Sequence, residues 1–477
     1  MPHHAVIREK SETTKLRVVF NASSKTHTGK SLNDILMVGP VVQSDLISIL
    51  LRFREHKYVL TGDIEKMFRQ TEITPSQRHL QLILWREDCN QPIDILRLNT
   101  VTYGTASAPF LSSRCLLQLA NECDDESIAR IIKSDFYADD LNTGADTVER
   151  LQHIYKNVVE VLDSACLPIR KFRTNCPQLF HNETDSGKPM DFYKDSSVLG
   201  LNWSPTADQL QFSTDLTPSP QITKRTVIST TCKVFDPLGL LCPCVIIAKI
   251  ILQELWSSKL DWDDPVPLNF CKNWSSLLKE FLHLSNIKIP RRVLSENPRS
   301  LELHCFVDAS QQAYAACVYV RSQNQDRSIT VRLLCAKARV APLHSTTIPR
   351  LELCGALLGS RLCFKVLQSW RGNFSQKYLW TDSTIVLAWL KTQTKDLKVF
   401  VCNRVNEINK LTSGFIFRHV PTDKNPADLA SRSVSPSQLE ASALWWEGPS
   451  FLRNDESYWP KTAHTHIPIH LPEILLH

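Results

Sequence analysis

Phe136-Tyr137-Ala138-Asp139-Asp140-Leu141-Asn142-Thr143-Gly144 decides the fold of the first half of the chain. An apolar run leads into two adjacent carboxylates, and Asn142-Thr143-Gly144 behind them is a hairpin-turn signal. A tight hairpin with Asp139 and Asp140 at its tip would gather oxygen ligands for magnesium. Alone, the pair fits an ordinary solvated turn equally well. A second β-prone run, Tyr58-Val59-Leu60-Thr61-Gly62-Asp63, also ends on an acid. Phosphoryl transfer to a primer hydroxyl uses two cations bridged by carboxylates from separate strands. One cation activates the attacking oxygen and the other holds the triphosphate and leaving group. Asp63, Asp139 and Asp140 supply that set. Phe68, five positions beyond Asp63, is placed to stack under an incoming sugar and exclude a 2′-hydroxyl, and it fits a core position as well.

Further motifs surround these acids in order. They are Lys15-Leu16-Arg17-Val18-Val19-Phe20-Asn21-Ala22-Ser23, Ser31-Leu32-Asn33-Asp34, Asp63 to Gln70, Thr102-Tyr103-Gly104-Thr105-Ala106-Ser107-Ala108-Pro109-Phe110, Tyr137 to Asp140, and Leu199-Gly200-Leu201-Asn202-Trp203. With them the chain resembles the reverse transcriptases of Bel/Pao long-terminal-repeat retrotransposons. The resemblance implies a right-hand polymerase of fingers, palm and thumb. It places Lys15 and Arg17 against the triphosphate, and Tyr103 and Gly104 in the nucleotide site, with Gly104 to Pro109 beneath the templating pair. It makes Leu199, Gly200 and Leu201 the primer grip. It also offers Lys171 as proton donor to pyrophosphate, although a plain surface lysine would look the same. Two positions depart from relatives: Asn21 stands where Asp is usual, and Tyr103 where retroviral enzymes have Gln. Neither is a metal ligand in the family, so both bear on nucleotide positioning.

A second set of acids follows. Leu301 to Ser310 alternates as a strand and delivers Asp308 near its end. Ile348-Pro349-Arg350-Leu351-Glu352 opens a helix, with Pro349 suited to the first turn. Leu351, Cys354, Leu358, Leu362 and Val366 mark its core stripe. Tyr378-Leu379-Trp380-Thr381-Asp382 is another strand ending on an acid, and Asn425-Pro426-Ala427-Asp428 caps and starts a last helix. Three Asp and one Glu at strand ends and helix starts suit a two-metal phosphodiesterase. Singly, each would pass for a cap or surface acid. Together they resemble the RNase H of retroelements, which cuts the RNA strand of a hybrid and recognises it by shape and 2′-hydroxyls. Retroviral enzymes carry a catalytic-loop His after a Val-Pro pair. Here Val420-Pro421-Thr422-Asp423 puts Asp there and His419 precedes the pair. Bel/Pao elements commonly lack that His, so its absence is not read as inactivation.

The fold class expected is therefore an α+β and α/β multidomain chain, a right-hand polymerase followed by an RNase H-like mixed sheet. Residues 1–215 are assigned to fingers (truncated) and palm, 216–298 to thumb and connection, 299–435 to the RNase H-like domain, and 436–477 to a tail given no fold. The 477 residues exceed one domain, and 43% hydrophobic with 22% charged residues is ordinary for packed cores. No run is long and apolar enough for a membrane span, so no membrane partner is expected. The N-terminus has no apolar signal core. Fifteen scattered cysteines read as reduced thiols inside the cell. A net charge of +6 is compatible with a polyanionic partner without demonstrating one. The partners implied are an RNA template, a DNA primer, RNA–DNA hybrid and deoxynucleoside triphosphates. Two Mg2+ ions per active site are expected, or Mn2+ in their place. A protease and an integrase of the same polyprotein are candidate neighbours. The expected compartment is the cytoplasm, in virus-like particles, with the nucleus as second location.

Three other expectations follow. Residues of about 200–350 resemble a segment known as the Pao retrotransposon peptidase region. An aspartic peptidase needs Asp-Ser/Thr-Gly in an apolar strand, and the only match, Asp185-Ser186-Gly187, lies in polar surroundings, so proteolysis is not expected. A host-retained, catalytically silent copy that binds nucleic acid is the alternative function, opposed by intact acids at all seven metal positions. Finally, only fourteen residues precede Lys15. This predicts a poorly supported loop at Lys15 and Arg17, and weak polymerisation beside normal hybrid cleavage.

Overall fold

The computed structural model describes residues 1–7, 9, 15–180, 196–213, 216, 221–461 and 471–474. It divides into two compact units, Met1–Asp45 with Tyr58–Phe192, and Leu46–Lys57 with Tyr193–His477. These divisions differ from the boundaries expected at 215 and 298. Helix α1 (Leu46–Phe53) lies in the second unit although the chain on both sides of it lies in the first. Its side chains explain this: Ile49, Leu50, Leu51 and Phe53 are all buried. Buried Arg54, just beyond, donates to the carbonyls of Arg291 (3.0 Å) and Leu334 (2.6 Å). A guanidinium can be buried when its fork is matched by acceptors in this way.

The first unit opens with β1 (His3–Ile7) antiparallel to β2 (Leu16–Phe20). The strand carrying Arg17 is thus backed by the residues ahead of it, which corrects the expected lack of support. A four-stranded antiparallel sheet has the order β6-β7-β3-β8. It comprises β3 (Tyr58–Ile64), β6 (Phe136–Tyr137), β7 (Asp140–Ala145) and β8 (Ile169–Thr174). A separate hairpin pairs β4 (Leu82–Trp85) with β5 (Asp94–Arg97). Helices α2 (Ala108–Asn121), α3 (Glu126–Ser134) and α4 (Val148–Ser164) pack with the four-stranded sheet. α4 buries Leu151, Ile154, Val158 and Leu162, the three-and-four spacing of one helix face, and Thr147 caps its start. These join Leu60, Ile64, Met67, Phe136, Leu141 and Ile169 in one core.

In the second unit β9 (Ser196–Val198), β10 (Leu201–Ser204) and β11 (Gln209–Gln211) form a sheet with β12 (Lys288–Pro290), in the order β12-β11-β10-β9. Between β11 and β12 in sequence come α5 (Lys224–Lys233), α6 (Cys242–Ser257) and α7 (Leu268–Phe281). Strand pairing therefore joins residues 209–211 to 288–290 across the expected 215 boundary.

From residue 298 come β13 (Pro298–Ala309), β14 (Ala313–Asn324), β15 (Ile329–Val340), α8 (Ile348–Ser369), β16 (Gln376–Thr381), α9 (Thr384–Lys391), α10 (Val399–Leu411), β17 (Ile416–His419) and α11 (Ala427–Arg432), with the strands expected before Ser310 and Asp382 and the helices expected at Ile348 and Asp428 among them. The sheet order is β15-β14-β13-β16-β17, with β16 parallel to both neighbours and the others antiparallel. α8 lies on this sheet through small residues. A methyl at Gly359 would stand 2.6 Å from Val307 Cγ1 and 2.8 Å from Cys305 Sγ, so bare backbone is what lets the helix approach. Its buried face therefore includes Gly355, Gly359 and Cys363, while Cys354 and Leu362 of the expected stripe are only half-buried.

The segment from 436, to which the sequence assigns no fold, forms α12 (Pro436–Glu440), α13 (Ala443–Glu447) and short 3-10 turns as far as Tyr458. Trp445, Phe451, Leu452 and Trp459 are buried. Tyr319 Oη donates to Trp445 O (2.7 Å) and Arg321 Nε to Leu452 O (2.8 Å), tying the segment to β14. The tryptophans are core, not tail. Asp185-Ser186-Gly187 falls outside the described residues. Among the described residues no helix is long and apolar enough to cross a membrane.

Candidate active sites

In the first unit, Asp63 at the end of β3 stands directly opposite Asp140 at the start of β7. Ile64 N–H donates to Asp139 O at 2.9 Å, which fixes the neighbouring residue against the same strand. The hairpin turns at Ala138-Asp139, with Ala138 at φ 52° and Tyr137 paired to Asp140. This corrects the turn expected at Asn142 to Gly144, because those residues pair with Thr61, Leu60 and Val59 inside the sheet. Two ladders outweigh one local turn preference.

The three carboxylates share one field. Burial, reinforced by Asp139 and Asp63, pushes the Asp140 carboxyl up to about 7. Burial also raises Asp139, with Asp63 adding to the shift while Lys171 and Arg17 oppose it. Lys171 Nζ lies 3.0 Å from Asp63 Oδ2. The register between β3 and β8 slips between Thr61 and Asp63, leaving an extra residue on β8. Lys171 sits in that bulge with φ 54°, the kind of irregularity that re-aims a side chain.

Other expected nucleotide-site residues gather in the same unit. Lys15 and Arg17 are exposed. Met67 enters the core while Phe68 stays half-buried. The Tyr103 ring is 5.3 Å from Phe20, with the Arg69 guanidinium 5.7 Å from its centroid. Gly104 has φ +95°, and a methyl there would meet Phe20 O at 2.4 Å, so no side chain fits. Asn33 knits three motifs together: Nδ2 donates to Gly104 O (3.1 Å) and Ser23 Oγ (2.8 Å), and Oδ1 accepts from Ala106 N–H (2.8 Å). Leu199, Gly200 and Leu201 fall in the second unit, at the β9–β10 turn. Leu199 and Leu201 are buried, and Ser197 and Gly200 are the hairpin's exposed residues.

The second unit assembles the other four acids. Asp308 ends β13 and is buried, Glu352 lies in the first turn of α8, Asp382 follows β16, and Asp428 begins α11. Burial pushes the Asp308 carboxyl up to about 7, with Asp382 and Asp428 adding to it and the Ser431 hydroxyl opposing. Burial raises Glu352 too, partly offset by Ser383 and reinforced by Asp382. Ser431 Oγ donates to Asp308, and Ser383 Oγ to Glu352. Thr422 Oγ1 donates to Asp382 Oδ2 at 2.8 Å, while Asp382 Oδ1 is buried with no hydrogen-bond partner. Arg432 Nε lies 2.5 Å from Asp428 Oδ1. Asp428, Asp308 and Asp382 all raise the arginine's affinity for its proton.

Among the described residues no three acidic, histidine or cysteine side chains close on one metal-sized point. An internal cation holds one acid of each set instead, Lys171 in the first and Arg432 in the second. The donor sets still suit hard cations. Both hold crowded carboxylates that resist ionising together, and the second has an orphaned buried oxygen.

Several supporting residues had not been singled out in the sequence. Arg432 had a signal, since it lies four residues past Asp428 on one helix face. Ser383 had one as the N-cap of α9. Gln43, whose Oε1 accepts from Ala138 N–H at 3.0 Å, had none.

Residues 223–383 match the family model described as the Pao retrotransposon-like RNaseH-like domain. That span joins part of the expected connection to the nuclease sheet. No curated protein matches the sequence. Among solved structures, the foamy viral protease-reverse transcriptase in complex with RNA/DNA hybrid is similar with a TM-score of 0.55 at 15% identity, covering 88% of this chain and 50% of that one. Its dRH form in complex with double-stranded DNA gives 0.56 at 14% identity, covering 88% and 64%. The protease-reverse transcriptase in complex with double-stranded DNA gives 0.53 at 14%, covering 88% and 77%. The chain thus spans half to about three quarters of these relatives, and at such identities the likeness is one of fold. The chain has a mixed α/β multidomain fold like that of a reverse transcriptase, with an RNase H-like sheet toward its C-terminus. Residues 223–383 are thus similar to the Pao retrotransposon-like RNaseH-like domain, and the likeness along most of the chain is to the reverse transcriptase fold.

Proposed function

We propose that the chain is an RNA-directed DNA polymerase that also cleaves the RNA strand of RNA–DNA hybrid. The carrying observation is Asp63 facing Asp140 across β3 and β7 with Asp139 pinned beside them. This is a carboxylate trio on paired strands within a reverse transcriptase fold.

Asp63, Asp139 and Asp140 would hold one pair of Mg2+ ions, and Asp308, Glu352, Asp382 and Asp428 another, with Mn2+ as substitute. Such ions lower the pKa of an attacking hydroxyl or water and neutralise charge on the transferred phosphoryl group. The chain's own groups do the rest. Lys171, 3.0 Å from Asp63, carries a proton where pyrophosphate leaves. Exposed Lys15 and Arg17 offer charge to a triphosphate. Phe68 presents a half-buried ring to the sugar. Unpartnered, buried Asp382 Oδ1 would offer one ligand to a cation beside a hybrid's RNA phosphate, with Asp308, Glu352 and Asp428 supplying the others on closing toward it. The substrates proposed are primed RNA, the resulting hybrid and deoxynucleoside triphosphates.

The decisive experiment is extension of a DNA primer on RNA with magnesium, in the wild type and in Asp139→Asn. The wild type should extend, and the variant should fall by about two or more orders of magnitude while still cutting hybrid. A wild type that binds hybrid yet neither extends nor cuts would instead support the catalytically silent nucleic-acid-binding protein.

A further inference from the structure

Gln43 lies outside every motif quoted above. Its Oε1 accepts the Ala138 N–H at 3.0 Å and the Ser113 hydroxyl of α2 at 3.4 Å. Ala138 is an L-residue held at φ 52° immediately before Asp139, a conformation that a residue with a Cβ adopts reluctantly. β6 is only two residues long, so few ladder bonds hold that arm of the hairpin. Nor is the turn packed solidly from behind. A small cavity lies there, lined among others by Gln43, Ser113, Leu116, Phe136 and Ala138. Asp139 is held from the β3 side by Ile64 N–H, but on the Ala138 side an unfavourable backbone conformation, a short strand and a void make the Gln43 hydrogen bond the side-chain tether of the carboxylate turn.

We infer that Gln43 is a positioning residue for polymerisation, holding Ala138 so that Asp140 keeps its register opposite Asp63 and Asp139 its place beside Ile64. It touches no substrate and acts only through the turn. The inference rests on the polymerase reading above. It differs from a general packing role in two ways. The turn, not the unit, should loosen, and the loss should depend on residue 138 being strained.

The test uses Gln43→Met, which keeps the length and removes the acceptor. Amide exchange across Phe136–Leu141 should quicken about tenfold, the loss of one net hydrogen bond, while peptides from α4 are unchanged. The kcat for extension should fall about tenfold with KM for nucleotide within about twofold, because ground-state nucleotide contacts are untouched. Hybrid cleavage by the second unit should not change. In an Ala138→Gly background, where φ 52° carries no steric cost, the same substitution should cost less than about threefold relative to Ala138→Gly alone. Ser113→Ala should act in the same direction as Gln43→Met but more weakly, and it serves where Gln43→Met folds poorly. Unchanged exchange at the turn, or an equal kcat loss in the glycine background, overturns the inference. If the wild type fails to extend primers, the polymerase reading falls, and the exchange data still decide whether Gln43 tethers the turn.

Discussion

Asp308→Asn should make the metal-free protein more stable at alkaline pH while abolishing hybrid cleavage. Asp308 is 5% exposed, and its carboxyl is pushed up to about 7 by burial and by the neighbouring Asp382 and Asp428. The unfolded chain ionises this group near the ordinary 3.8. Because the folded pKa is the higher, the fold loses stability as pH rises from about 4 through about 7, and the cost is flat above that. At roughly 1.36 kcal/mol per pH unit the full cost is about 4 kcal/mol. Relaxation of Asp382 and Asp428 after the substitution should leave about 2 kcal/mol of gain, or roughly 4 °C in Tm for a unit of this size. Asparagine keeps an acceptor for the Ser431 hydroxyl, so that hydrogen bond survives. The assay is thermal unfolding of wild type and variant in chelator at pH 8 and pH 4.5. The variant should be the more stable at pH 8 and nearly equal at pH 4.5, and excess magnesium should erode its advantage by binding the wild type preferentially. An identical difference at both pH values would refute the argument that crowded carboxylates penalise this fold.

Asp382→Asn should abolish cutting of the RNA strand in a hybrid-cleavage gel and leave primer extension largely intact; parallel loss of both, with folding preserved, would argue against two independent sites. Phe68→Val should admit ribonucleotides into DNA products, visible as alkali-labile sites, and products as alkali-resistant as the wild type's would make Phe68 a packing residue only. Trp445→Ala should destabilise the second unit by about 3–5 kcal/mol, because the ring is fully buried and its Nε1 donates to Leu240 O at 2.8 Å. Removing residues 436–477 without loss of stability would contradict that.

Much of the fold was legible because the signals are local. The alternation in Leu301–Ser310, the proline at the start of the Glu352 helix and the cap before Asp428 each announce an element directly. The strands and helices that carry Asp308, Glu352 and Asp428 follow from them. What stayed hidden depends on distant partners. Nothing in Leu46–Lys57 signals that Arg54 will satisfy carbonyls at Arg291 and Leu334. Strand pairing of 209–211 with 288–290 cannot be read from either segment alone. The C-terminal stretch carries no readable fold of its own, because its tryptophans acquire meaning only against the sheet that buries them. The acids were identifiable by context, but the supporting Ser383, Ser431 and Gln43 are ordinary residues until geometry assigns them a neighbour.

The placement of α1 bears on how such a chain can be rearranged by recombination. The polypeptide passes between the compact units three times, at 45/46, 57/58 and 192/193. A single crossover in the gene near residue 192 would exchange the first unit's acids together with α1, a piece of the other unit's core. The incoming helix would have to offer an arginine to the Arg291 and Leu334 carbonyls, a serine to Ser369, and an acid to the Gly372 amide. Chimaeras between distant elements would usually lack that match. The two proposed activities should therefore be inherited as a block and diverge in concert, although each would have its own chemistry. An engineer seeking a free-standing nuclease faces the same constraint, and would graft Leu46–Lys57 onto a segment starting near 193 instead of simply truncating there.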